Sequence, residues 1–162
     1  MPQGIPMGAV APMVLVEKSR IEALAHSIVE VNESVLSQRG FSVGIGSVSF
    51  KEEQINRAIS VVAASFAVHF GVAPNERFAD LFDQISLFAL HLAKDHIFTD
   101  GNKRTTVLVS LALIGKCGIA LDIEDSERPE DNEVYKWIED LVTGSRSAEE
   151  LASTLRDRAL FA

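Results

Sequence analysis

Between Glu76 and Lys116 the chain carries two apolar patterns of helical period, separated by the seven-residue interruption His96–Asn102. The first runs through Phe78, Leu81, Phe82, Ile85, Phe88, Ala89 and Leu92 up to Asp95, and has one apolar face. The second, Lys103 to Lys116, is apolar on nearly every side. A helix without a polar face has to be surrounded by other elements, so this pair predicts a central helix around which the rest of the chain packs.

The flanking segments supply the partners. Val14 to Gln38 has apolar residues at Leu15, Ile21, Leu24, Ile28, Val31, Val35 and Leu36, which predicts an amphipathic helix stopped by Gly40. Lys51 to Phe70 repeats the period through Ile55, Ile59, Val62 and Phe66, with Gly71 and Pro74 as stop signals. Two more helices are predicted over Pro129 to Val142 and Ser147 to Leu160, separated by Gly144, and Ser147 with Glu150 makes a capping box for the last. Gly40 to Phe50 nearly alternates, with Gly44 and Gly46 marking a turn, and predicts a short hairpin or extended loop. Gly118 to Ile123 predicts a short extended piece. Strands and helices do not alternate along the chain, so the expected fold class is all-α, with one domain over residues 14–162. Residues 1–13, with three prolines, two glycines and no Lys or Arg, predict a flexible tail. The phenylalanines at 66, 70, 78, 82 and 88 are predicted core.

Composition narrows the function classes. A net charge of -8 argues against non-specific binding to nucleic acid or anionic membrane, which requires clustered cations. Cys117 is the only cysteine, which rules out an intramolecular disulfide and a cysteine-based zinc site and fits a reducing cytoplasm. The thiol, in an apolar setting beside Gly118, reads as packed rather than nucleophilic. The longest apolar run, Val107 to Ile114, is shorter than the ~20 residues that span a bilayer.

Chemistry concentrates in His96-Ile97-Phe98-Thr99-Asp100-Gly101-Asn102-Lys103-Arg104. This stretch precedes the N-terminus of a buried helix, where unpaired N–H groups and the helix dipole favour an anion. Gly101 permits positive φ or a close ligand approach. Lys103 and Arg104 oppose the dipole unless an anion compensates them, which points to phosphate. Asp100 is a hard oxygen donor of the kind Mg²⁺ shares with nucleotide phosphates, and equally a candidate N-cap for the next helix. His96 is suited to take a proton from an attacking hydroxyl at neutral pH. His91 and Asp95, four apart, are two potential ligands without a third and read as core packing or a local pair, and His26 and His69 carry no partner motif.

The nine residues resemble the signature of the Fic/Doc family, His-Pro-Phe-x-Asp/Glu-Gly-Asn-Gly-Arg, and depart from it at Ile97 and Lys103 in the manner of its Doc subgroup. The resemblance implies an all-α fold with this loop between two central helices. It implies His96 as catalytic base, Asp100 as Mg²⁺ ligand, Gly101, Asn102, Lys103 and Arg104 as nucleotide and phosphate binders, and Phe98 as the apolar anchor of the loop. It further implies ATP and Mg²⁺ as cofactors and a Ser/Thr kinase activity on a host protein such as an elongation factor Tu-like target. AMP transfer and a catalytically silent binding module are the alternatives. The Gly40 to Phe50 segment takes the place of a target-docking flap. Many family members restrain themselves through a helix carrying Ser/Thr-x-x-x-Glu-Gly/Asn, and these 162 residues contain no Glu-Gly or Glu-Asn pair. Control is therefore expected from a separate antitoxin protein, with this chain as the toxin of the pair.

Overall fold

The computed structural model describes residues 4–38, 48–124 and 126–161. Among them the fold is all-α, with seven α-helices and one two-stranded ribbon. The helices are α1 (Lys18–Gln38), α2 (Val48–Phe66), α3 (Pro74–Arg77), α4 (Leu81–Lys94), α5 (Asn102–Lys116), α6 (Glu133–Thr143) and α7 (Ala148–Arg158). The strands β1 (Ile119–Leu121) and β2 (Ala159–Phe161) pair antiparallel, with Ile119 opposite Phe161. No helix among the described residues is long and apolar enough to cross a membrane.

The two helices that bracket the interruption are central, as their patterns require. α4 buries Leu81, Phe82, Ile85, Phe88, Ala89 and Leu92 and packs against α2, α5, α6 and α7. Phe88 meets Phe66 of α2 edge-to-face, with ring centroids 5.0 Å apart. α5 buries Val107, Val109, Leu113 and Ile114, yet Leu108 on its far side is exposed, so α4 is the more enclosed of the two.

Four expectations need correction. Residues 4–13 are not a loose tail. The Ile5 N–H donates to Arg156 O, the Leu81 N–H to Val10 O, and Met13 exchanges two hydrogen bonds of 2.7 Å with the buried Gln84 amide. The helix predicted from Glu76 to Asp95 is two, because Asp80 breaks it: its carboxylate accepts from Asp83 N–H and caps α4. The helix predicted to reach Phe70 ends at Phe66, and residues 69–72 make a tight turn closed by His69 and Val72, with φ of 51° at Phe70 and 77° at Gly71. Two successive positive φ values suit a primed turn, and this turn leaves Phe70 fully exposed rather than in the core. Of the Gly40 to Phe50 segment, residues 40–47 lie outside the described residues, and Val48 to Phe50 form the first turn of α2. The alternation of Val48 and Phe50 is too short to select a strand against the helix formers Lys51 to Gln54 that follow.

Candidate active site

α4 ends at Lys94 with Asp95 as its C-cap, and the chain leaves through His96 at φ 51°. A left-handed position just past a helix usually takes Gly, and a residue with a Cβ costs about 1–2 kcal/mol there. The two carbonyls at this corner are held by one side chain. Arg57 of α2 donates from Nη2 to Asp95 O at 2.5 Å and from Nη1 to His96 O at 3.0 Å.

The next turn is tied from two sides. Ile97 and Phe98 are both buried, which fixes the loop to the core. The Asn102 side chain then closes the loop on itself, accepting from Phe98 N–H at 3.1 Å and donating to Phe98 O at 2.8 Å. From α1, the buried Asn32 amide donates to Asp100 O at 2.9 Å and to Thr105 Oγ1 at 3.2 Å. Gly101 lies directly beneath it at φ 77°, where a Cβ would come within 3.1 Å of Asn32 Nδ2 and 3.4 Å of Val35 Cγ1. Gly101→Ala is therefore expected to lower stability by about 1–2 kcal/mol from backbone strain alone, and to spoil the loop. Urea denaturation of the two proteins checks it.

The start of α5 is open to an anion. Gly101, at the N-cap, offers no side chain, the first turn has no acidic residue, and the first helical bond is Thr105 N–H to Gly101 O. The N–H groups of Asn102, Lys103 and Arg104 consequently have no intrahelical acceptor. Arg104 is only 7% exposed, and its one bond among the described residues is a long 3.5 Å contact to Asp100 Oδ1. A guanidinium this enclosed, weakly bonded and opening on a cavity, favours an anionic ligand there. Asp100 is no N-cap: its Oδ1 accepts from Gly101 N–H at 2.7 Å, while Oδ2 makes no bond among the described residues. Its carboxylate is half-exposed, so Oδ2 suits a divalent cation shared with phosphates. Among the described residues no cluster of three or more His, Cys, Asp or Glu could hold a metal by protein ligands alone.

These groups line a cavity of about 340 Å³ that is lined as well by Ala93 of α4 and by Tyr135 and Val142 of α6. His96, Asp100, Gly101, Lys103 and Arg104 all reach it. Phe98 does not line it and sits below, in the core. Asn102 lines it, and with its Oδ1 and one amide N–H committed to Phe98, its backbone N–H and its second amide N–H remain for a phosphate. Lys103 turns towards α6: its ammonium is 3.6 Å from Glu139 and 5.8 Å above the Tyr135 ring. A base, a hard oxygen donor, a helix N-terminus and a buried guanidinium thus surround one space. That set fits a polyphosphate ligand with a reacting hydroxyl beside it.

The Fic/DOC family model matches residues 23–114, which takes in most of α1, all of α2 to α4, the loop, and most of α5. The chain belongs to the Fic/DOC family. Fic/DOC proteins are protein-modifying transferases that use nucleoside triphosphates with a metal ion. No curated protein matches the chain. The matched span also contains Asn32 and Arg57, which hold the loop and which the motif itself does not reveal. For Asn32 a signal exists: it is a polar residue on the apolar stripe of α1, between Ile28 and Val35. Arg57 carries none, since a cation on an amphipathic helix looks like any solvent-facing residue.

Proposed function

We propose that this protein transfers the γ-phosphate of ATP to a Ser or Thr hydroxyl of another protein. The observation that carries the reading is the open N-terminus of α5 with buried Arg104, lining the same cavity as His96. The N–H groups of residues 102–104 and the Arg104 guanidinium bind the phosphates and neutralise charge that grows as the phosphoryl group moves. Asp100 would hold Mg²⁺ through Oδ2, and the ion when bound adds charge neutralisation at the phosphates. His96 takes the proton of the attacking hydroxyl at an imidazole nitrogen as the oxygen–phosphorus bond forms, and ADP leaves.

Lys103 supports the kinase over AMP transfer. Where Fic-type signatures have a glycine, this chain has a lysine whose side chain reaches from α5 towards Glu139 and Tyr135 and narrows the space there. A nucleotide is then seated differently from one admitted by glycine. Lys103→Gly is expected to lower phosphorylation at least several-fold or to shift the product to an AMP adduct. The mass of the modified target separates the two products, and an unchanged product and rate would show that orientation is set elsewhere.

The biological role proposed is that of a cytoplasmic toxin acting on an elongation factor Tu-like target and restrained by a cognate antitoxin. These 162 residues carry the active-site loop without the Glu-Gly or Glu-Asn of the family's internal brake, which supports restraint by a second chain. Growth arrest on expression of this chain alone, relieved by the antitoxin, is the test. Vigorous growth with the protein folded would defeat the toxin role while leaving the transferase.

A further inference from the structure

We infer that Arg57 of α2 is a positioning residue for His96. The inference rests on the reading of His96 as the base. His96 occupies a left-handed backbone position at φ 51°, which a residue with a Cβ keeps only when its surroundings hold it. Arg57 supplies that hold. Arg57 Nη1 and Nη2 grip the carbonyls of His96 and Asp95 at 3.0 and 2.5 Å. These carbonyls stand at the C-terminal end of α4, where the last C=O groups lack helical partners and the dipole attracts a cation. A planar, rigid fork on two successive carbonyls fixes both peptide planes flanking the His96 Cα, and so the direction in which its side chain leaves the backbone.

Arg57 does not line the cavity, and its only hydrogen bonds among the described residues are these two. It is therefore placed to act on the reaction through His96 and not through the phosphates. A plain helix-end stabiliser would have the same contacts but a different kinetic signature. Misplacing a base by about 1 Å can cost roughly 100-fold in rate, and it leaves ground-state binding of the other substrate alone.

The test uses the full chain with ATP, Mg²⁺ and the protein target, and a melting curve for each variant. Arg57→Ala is expected to lower kcat about 10–100-fold with KM for ATP within about twofold of the wild type. Arg57→Lys should recover part of the loss, because an ammonium offers point contacts but no fork. In a His96→Ala background, Arg57→Ala should have no further effect on the residual rate, since the two act as one unit. Should Arg57→Ala not fold, Arg57→Lys carries the test alone: lowered kcat at unchanged KM supports the inference, and wild-type kcat overturns it. A folded Arg57→Ala with wild-type kcat, or one whose loss adds fully to that of His96→Ala, overturns it while the transferase reading stands. If His96→Ala transfers as fast as the wild type, the base reading falls and this inference with it.

Discussion

His96→Ala is expected to slow phosphoryl transfer by about 10²–10⁴-fold, the usual contribution of a positioned general base. ATP affinity should change little. The imidazole lines the cavity, but the groups proposed to bind the anion are the α5 N-terminus and Arg104, which do not depend on it. Arg104→Ala should behave differently, weakening ATP binding and transfer together, because the guanidinium serves both the ground state and the transition state. A calorimetric titration of ATP with Mg²⁺ beside a time course of target modification distinguishes the two variants. A folded His96→Ala protein that no longer binds ATP would refute this division of labour.

The second large effect is on stability and lies at the far end of α4. Asp80 is fully buried and joins three parts of the chain. It accepts from Arg156 of α7 at 2.7 and 3.0 Å, from Gly8 N–H of the N-terminal segment at 3.1 Å, and from Asp83 N–H at 3.0 Å. Asp80→Asn is expected to cost about 3 kcal/mol, the low end for breaking a buried ion pair, because Arg156 retains its 2.7 Å bond to Asp83. Burial alone would raise the Asp80 carboxyl, but Arg156 and the two backbone N–H groups outweigh it and hold the group below the ordinary carboxylate value. A folded-state value below the unfolded one means that this stabilisation is fully present above the unfolded carboxylate pKa of about 3.9 and is lost as pH falls through the lower, folded value. Urea denaturation near neutrality and in acid should therefore show the difference between wild type and Asp80→Asn shrinking in acid. A constant difference would show that Asp80 does not titrate as an ion-paired carboxylate.

The sequence made the helices and the loop readable because both are local signals. The 3.6-residue period locates α1, α2, α4 and α5, and the nine-residue motif locates the site between the last two. What escaped is long-range. Residues 4–13 are held by Gln84, Asp80 and Arg156, each more than 70 residues away, through backbone bonds that leave no periodic mark. Phe78 continues the spacing of Phe82 without a gap, and that hid the break at Asp80, although Asp80 three residues before Asp83 is itself a capping signal. In the candidate site, the motif names residues that line one cavity and is silent on what holds them. The commitment of the Asn102 amide to Phe98, the Asn32 brace under Gly101 and the Arg57 fork on His96 depend on the fold.

The proposed function has the cavity between α4, α5 and α6 move a phosphoryl group from ATP to a protein hydroxyl with His96 as base. It is tested most directly by incubating wild type and His96→Ala with bacterial lysate, Mg²⁺ and ATP labelled at the γ or the α phosphorus. Wild type is expected to label a protein band from γ-label alone, and His96→Ala to leave that band unlabelled. Labelling from the α position would assign AMP transfer in its place, and equal labelling by both proteins would contradict the assignment of His96.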